Sequence, residues 1–246
     1  MLRTVLKGRR AQVPVDLDGF DLGENYKLSR LRLTELVNDL IGGGRDPADV
    51  QVMACPGWSV HDVVGHLVSV AEDALAGKLT GPPSEEQTAE QVERKRTTAM
   101  SGMLDDWARI SPDLEAGINA LRVWPGFLDI LAHEHDVRGA VDRPAGRESQ
   151  EMAAASEYLL SFWKPPAAVK VTCADLENVV GPAAGSSPAG DSDLVLCLST
   201  SPFEVFRFRL GRRSPRQMRQ MDWTGDPTPV LDHMVIFGPE PYDLVE

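Results

Sequence analysis

Cysteine, positive charge and long apolar runs are all scarce in this sequence of 246 residues. The cysteines Cys55, Cys173 and Cys197 are odd in number and contain no CxxC pair. This pattern argues against a disulfide framework and a cysteine-based zinc site, and it suits a reducing cytosol. No window reaches the roughly 18 unbroken apolar residues of a membrane span, and residues 1–24 lack the apolar segment of a secretory signal. The sequence therefore predicts a cytoplasmic protein with no membrane partner.

Basic residues are outnumbered by acidic ones, 25 to 37, which gives a formal net charge of −12. Such a chain repels a nucleic acid on average, so we expect no nucleic-acid partner. The composition is otherwise that of an ordinary globular protein, with 42% hydrophobic and 25% charged residues.

Helical periodicity dominates the first part of the chain. The segment YKLSRLRLTELVNDLI places leucines on one stripe from Tyr26 onward. A second helix is expected from Val60 to about Ala76, with Ser59 and Asp62 forming a capping box. A third is expected after Ser84, with a turn near Ser111 and Pro112. A fourth should start at Pro125 and run to about Val141.

The pattern changes near residue 150. The segment EMAAASEYLLSFW predicts a helix, and AVKVTCAD and SDLVLCLST predict short strands. PFEVFRFRL fits either a strand or a short helix, and TPVLDHMVIF predicts a closing helix. The predicted class is α+β: an irregular lead-in at 1–24, an antiparallel four-helix bundle at 25–148, and a small α+β domain at 149–246.

Six ionisable residues crowd the predicted fourth helix in LDILAHEHDVRGA, residues 128–140. Asp129 and His133 are four positions apart and share one helix face beside an apolar stripe. His66 holds a similar position on the second helix. Two imidazoles and a carboxylate form a three-ligand set for a divalent metal, which competes with the reading that each histidine simply bonds to a neighbour.

The other ionisable residues of this segment point elsewhere on the helical wheel. Glu134 and Arg138 are predicted to form an intrahelical ion pair that braces the helix against the second domain. His135 and Asp136 project to other sides, and His135 is expected to be solvated.

The combination of CPGWSVHDVVGHL with LAHEHDVRGA resembles the mycothiol-dependent maleylpyruvate isomerase family of DinB-like metalloenzymes. RFRLGRRS and WTGDPTPVLDHMVIFGP resemble the C-terminal region of such proteins. The resemblance implies a DinB-like bundle that binds a divalent metal, usually zinc. Carried over by position, the implied metal ligands are His66, Asp129 and His133. The family usually has glutamate where this chain has Asp129.

The resemblance also implies a mechanism in which the thiolate of metal-bound mycothiol attacks a small electrophilic substrate. An arginine of the second domain would bind an anionic substrate, with Arg212 the first candidate and Arg213 the second; a solvated basic loop is the alternative. Trp58 could line the pocket or act as a packing anchor. Cys55 is expected to be structural, since nothing beside it except a helix start would lower its pKa.

Three functions follow as hypotheses. The first is a transferase or isomerase that uses a small-molecule thiol and a small electrophilic substrate. The second is a non-catalytic metal-binding or regulatory protein of the same fold, because fold alone does not fix function. The third is a metal-dependent hydrolase, with water rather than thiol as the nucleophile.

Overall fold

The computed structural model describes residues 16–173, 176–182 and 196–246. They divide into two units, one formed by residues 19–146 with 244–246 and the other by 147–243 with 16–18. The α+β class predicted from the sequence is confirmed. None of the helices in these ranges combines the length and apolar character that a membrane crossing requires.

The N-terminal unit is helical. Its helices are α1 (Leu22–Gly42), α2 (Val60–Leu75), α3 (Glu85–Lys95), α4 (Met100–Ala120) and α5 (Trp124–Ala140), with a 3₁₀ turn at Pro47–Asp49. Helix α1 packs against α4 and α5, and α2 packs against α3, α4 and α5. The antiparallel four-helix arrangement itself stays a prediction.

Two predicted boundaries in this unit are wrong. Helix α1 starts at Leu22 rather than Tyr26, because Asp21 caps it by accepting from the Glu24 backbone N–H. The expected turn at Ser111 and Pro112 lies inside α4. Proline costs about 3 kcal/mol within a helix, and burial of the large apolar side chains around it offsets that cost. The predicted third helix instead breaks between α3 and α4.

The unit's core is formed where the helices meet. Gly65 marks a close approach, since a Cβ there would lie 2.9 Å from the Lys95 Cβ. Fully buried core side chains come from every long helix: Leu33, Val63, Val64, Leu67, Met103, Trp107, Phe127, Ile130 and Leu131.

The C-terminal unit combines short helices with a small sheet. Its elements are α6 (Gln150–Ser161), β1 (Val169–Cys173), β2 (Leu176–Val180), β3 (Leu196–Thr200), α7 (Pro202–Arg209), α8 (Pro215–Arg219), β4 (Asp222–Thr224) and a 3₁₀ turn at Leu231–His233. The strand order is β2-β1-β3-β4, with β1 and β3 parallel and the outer pairs antiparallel.

The sequence PFEVFRFRL was compatible with a strand or a short helix. In the structure it forms helix α7, which starts after Ser201. The predicted closing helix over residues 228–237 is wrong. Only one 3₁₀ turn forms there, and it buries Val230, Leu231 and Met234. The Arg209 guanidinium donates to the carbonyls of His233 and Met234, which would otherwise accept from the next helical turn.

Candidate metal centre

The first histidine of the site is fixed by the start of α2. Ser59 and Asp62 form the predicted capping box, with the Ser59 Oγ accepting from the Asp62 N–H and the Asp62 carboxylate accepting from the Ser59 N–H. The cap sets the helical phase, and His66 follows on the buried side among Val63, Val64 and Leu67. The imidazole of His66 therefore points into the interior of the helical unit.

Helix α5 supplies the second histidine and the carboxylate. Pro125 lies in its first turn, as predicted. The helix is buried along most of its circumference, so LDILAHEHDVRGA is not a solvated charged face. Asp129 and His133 lie one turn apart on the side that faces His66.

The three side chains converge. The His133 Nε2 lies 3.5 Å from the Asp129 Oδ1, and the His66 Nε2 lies 3.8 Å from the Asp129 Oδ2. Potential ligand atoms of all three residues lie within 4.8 Å of one another. Ligand bonds of about 2.05 Å in a tetrahedral zinc site separate neighbouring ligand atoms by about 3.3 Å. The observed spacings approach that value and are long for hydrogen bonds.

The donor types of this cluster are those of a metal site. The His66 Nε2 is the nitrogen that lies toward Asp129, while the His66 Nδ1 is buried with no hydrogen-bond partner among the described residues. A cation held by Nε2 would not satisfy Nδ1, so the fit rests on the donor set itself. Two imidazoles and a carboxylate are common ligands of a divalent metal.

Trp58 lies directly against this cluster. Its ring centroid is 5.2 Å from that of His66 and 6.1 Å from that of His133, with the second pair stacked. The two imidazoles meet edge to face at 5.3 Å. Trp58 thus forms an apolar wall beside both histidines.

A second cluster adjoins the first on the other side of His133. The His133 Nδ1 lies 3.1 Å from the Asp136 Oδ2, and the Cys55 Sγ lies 3.4 Å from the same oxygen. Cys55, His133 and Asp136 also satisfy the spacing of a metal-ligating group. Sequence reasoning assigned Asp136 no role, although its spacing of three from His133 was a usable signal. The expectation that His135 is solvated is wrong, since its side chain is buried.

The predicted Glu134–Arg138 ion pair is confirmed, at 2.9 Å. That this pair braces the helix against the second domain stays a prediction. Arg32 on α1 binds both oxygens of Glu134, at 2.8 and 2.9 Å. Burial raises the pKa of Glu134, but the two guanidiniums lower it further, so the net direction is down. Glu134 therefore braces α5 against α1.

The two candidate arginines differ in their surroundings. Arg213 is buried and binds both oxygens of Glu204, each at 2.7 Å. Arg212 is half-buried, and its guanidinium donates to the Leu210 carbonyl at 2.8 Å. Neither belongs to a solvated basic loop. The pairing with Glu204 makes Arg213 the weaker candidate for substrate binding.

Comparison with known proteins bears on the helical unit. Residues 30–132 match the family model described as the mycothiol maleylpyruvate isomerase N-terminal domain. The match includes His66 and Asp129 and ends one residue before His133.

Two solved structures of the mycothiol-dependent maleylpyruvate isomerase are similar to this chain. One is 16% identical with a TM-score of 0.47, and the other, a histidine-to-alanine mutant, is 14% identical with a TM-score of 0.46. Each alignment covers 80% of this chain and 92% of the other. A comparison with curated proteins finds no significant match. The predicted resemblance to the mycothiol-dependent maleylpyruvate isomerase family is confirmed over the matched domain.

Proposed function

We propose that this protein is a divalent-metal, thiol-dependent enzyme, an isomerase or transferase that uses mycothiol and a small electrophilic substrate. One observation carries the proposal: His66, Asp129 and His133 converge within a helical unit whose domain family is named for mycothiol and maleylpyruvate isomerase. The same residues follow independently from helical spacing.

Zinc is the proposed metal, as the family resemblance implies, and two histidines with one carboxylate are a known ligand set for it. Two imidazoles and one carboxylate leave a coordination position open, which is the arrangement of catalytic rather than structural zinc sites. The short Asp129 side chain already lies close to both Nε2 atoms. Aspartate in place of the family's usual glutamate is therefore compatible with binding.

A bound divalent cation would favour the deprotonated form of a coordinating thiol, and thiolate is the nucleophilic form. The chain's own residues arrange the surroundings. His66 and His133 are buried, while the Asp129 side chain is 32% exposed, so a ligand would approach from the Asp129 side. Trp58 excludes water beside both imidazoles. An environment of this kind strengthens electrostatic interactions with a reacting group.

Arg212 remains the proposed ligand for an anionic group on the electrophile. A guanidinium binds carboxylates in a planar, two-point fashion that lysine cannot reproduce. Substitution of Arg212 by alanine should raise KM for an anionic substrate more than it lowers kcat, since the interaction would be made equally in the ground and transition states.

The protein is also proposed to be cytoplasmic. None of its cysteines, all three of which are described, forms a disulfide. A reducing compartment is where free thiols persist, and a thiol cosubstrate is kept reduced there.

Elemental analysis of protein purified without added metal tests the proposal. Wild type should contain about one divalent metal per chain, His133→Ala should contain none, and His61→Ala should match wild type, because His61 on α2 instead contacts the Thr98 carbonyl at 2.9 Å. Metal-free wild type would refute the proposal.

Calorimetry with mycothiol then separates the remaining hypotheses. The metal-loaded wild type should bind mycothiol, and the metal-free protein should not. A metal-loaded protein with no thiol binding would refute the thiol-dependent enzyme and leave a hydrolase. Thiol binding without turnover of any electrophile would favour a non-catalytic binding protein.

A further inference from the structure

We propose that Asp136 is a positioning residue that holds His133 with its proton on Nδ1, so that the lone pair of Nε2 faces Asp129 and His66. This inference rests on the proposed function, because it describes how one ligand of the proposed metal is oriented.

The contact between Asp136 and His133 is enclosed. The Asp136 side chain is fully buried, with 0% exposed, and lies one turn along α5 from His133. Its Oδ2 is 3.1 Å from the His133 Nδ1. The same Oδ2 accepts from the Cys55 Sγ, which makes this oxygen the acceptor and Nδ1 the donor. With the proton on Nδ1, a neutral imidazole keeps its lone pair on Nε2.

Cys55 is the group that could reverse this arrangement. Its Sγ lies 3.7 Å from the His133 Nδ1, and a thiol that donated to Nδ1 would place the ring proton on Nε2 instead. Two distances decide against that alternative: the thiol is closer to the Asp136 Oδ2, at 3.4 Å, and the imidazole–carboxylate contact is shorter still, at 3.1 Å. Hydrogen bonds to an ionised acceptor are also stronger than those of a neutral thiol.

Cys55 and His133 therefore both donate to one carboxylate oxygen. The two hydrogen bonds hold the Asp136 Oδ2 in place, and this oxygen in turn orients the imidazole ring of His133. A carboxylate that accepts from a metal-binding histidine raises the basicity of the ligand, and its loss typically weakens metal binding by about 10- to 100-fold. Asp136 thus links the loop before α2 to the ligand on α5.

The same three residues offer a competing arrangement. Cys55, His133 and Asp136 could themselves hold the ion, with Nδ1 rather than Nε2 as the ligand atom. Thiolate is a strong zinc ligand, so the two sites must be distinguished by experiment. They differ in which nitrogen is bound and in whether sulfur is bound.

Nitrogen-15 NMR of histidine-labelled, metal-free wild type provides the first test. The His133 signal, assigned by its loss in His133→Gln, should be that of the Nδ1–H tautomer. The measurement needs neither metal nor activity. An Nε2–H tautomer would overturn the inference.

Asp136→Asn provides the second test. The asparagine amide can donate to Nδ1, which should shift His133 toward the Nε2–H tautomer and weaken zinc binding by about 10- to 100-fold in competition with a chromophoric chelator. Cys55→Ser is the matched control: it keeps a donor to the Asp136 Oδ2 and should bind zinc nearly as wild type does. Unchanged tautomer and unchanged affinity in Asp136→Asn would overturn the inference. If that variant fails to fold, the wild-type tautomer decides.

Cobalt substitution supplies the third test and identifies the site. Cobalt-loaded wild type should lack a thiolate-to-cobalt charge-transfer band. Such a band, lost in Cys55→Ser, would overturn the inference by placing the ion at Cys55. Failure of wild type to bind either zinc or cobalt would refute the proposed function, whereas the tautomer of the metal-free protein would still test the role of Asp136.

Discussion

Asp129 and His133 lie on one face of α5 with the Asp129 Oδ1 3.5 Å from the His133 Nε2, close to the spacing of neighbouring ligands around zinc. Because the shorter carboxylate already fits this gap, Asp129→Glu should crowd the site and weaken zinc binding about tenfold. Asp129→Ala, which removes the proposed ligand, should weaken zinc binding by more than the roughly 100-fold that loss of an outer partner costs. Competition with a chromophoric chelator measures both.

The isosteric variant Asp129→Asn controls for shape in this series. It retains the side-chain volume and loses the charge, so its affinity should fall between wild type and Asp129→Ala. Equal zinc affinity across the whole series would mean that Asp129 is not a ligand.

Arg32 joins α1 to α5 through a two-point ion pair with the buried Glu134. Arg32→Ala should lower the free energy of unfolding by about 2 kcal/mol, because a buried carboxylate loses one of its two guanidinium partners. Arg143→Ala is the control: its pair with Asp39 is exposed on both sides and should contribute less than about 1 kcal/mol. Urea unfolding followed by circular dichroism measures both. Equal losses in the two variants would contradict the bracing role of Glu134.

The sequence predicted the three proposed metal ligands because helical spacing places Asp129 and His133 on one face and His66 beside an apolar stripe. It missed the groups that contact this part of α5 from other elements. A helical wheel gives the direction of a side chain from its own axis, but it does not say which other element covers that face. Cys55 lies 78 positions before His133 in the sequence, and Arg32 lies 102 positions before Glu134.

The missed boundaries have similar causes. Pro112 is a local breaking signal, and apolar burial on both sides of it keeps α4 continuous. The segment around Leu231 has the apolar spacing of a helix. Its carbonyls at His233 and Met234 instead accept hydrogen bonds from the buried guanidinium of Arg209. In both places a contact distant in sequence outweighs a local preference.

The ion pair of Asp73 with Arg94 should make the free energy of unfolding depend on pH. Asp73 accepts two hydrogen bonds from Arg94, at 2.9 and 2.8 Å, and one from Gln91 at 3.0 Å. The Arg94 guanidinium holds the pKa of Asp73 well below its usual range, although burial raises it. A lowered folded-state pKa stabilises the protein above the unfolded value of about 3.9, and that contribution is lost as the pH falls below it.

Asp73→Asn should therefore lower the free energy of unfolding at pH 7 by about 1 kcal/mol, a figure reduced for the partly exposed Arg94. The difference from wild type should stay constant from pH 7 to about pH 5 and shrink as the pH falls below about 4. Urea titrations across that range measure it. Asp106→Asn, which breaks an exposed pair with Arg109, is the control and should show little difference at any pH. A difference for Asp73→Asn that grows toward low pH would contradict the assignment.

The thiol of Cys173 should react very slowly with alkylating reagents in the folded protein. This residue lies on β1 in the core of the C-terminal unit, and burial, with the nearby charge of Glu157, raises the pKa of its thiol to about 11. At pH 8 only about one thiol in a thousand would be ionised, and thiolate is the reactive form. Iodoacetamide labelling followed by mass spectrometry should modify Cys173 far more slowly in buffer than in urea. Cys197, half-buried on the neighbouring β3, should be modified before Cys173 in the folded protein. Equal labelling rates for Cys173 with and without urea would show that its surroundings neither exclude the reagent nor suppress the thiolate.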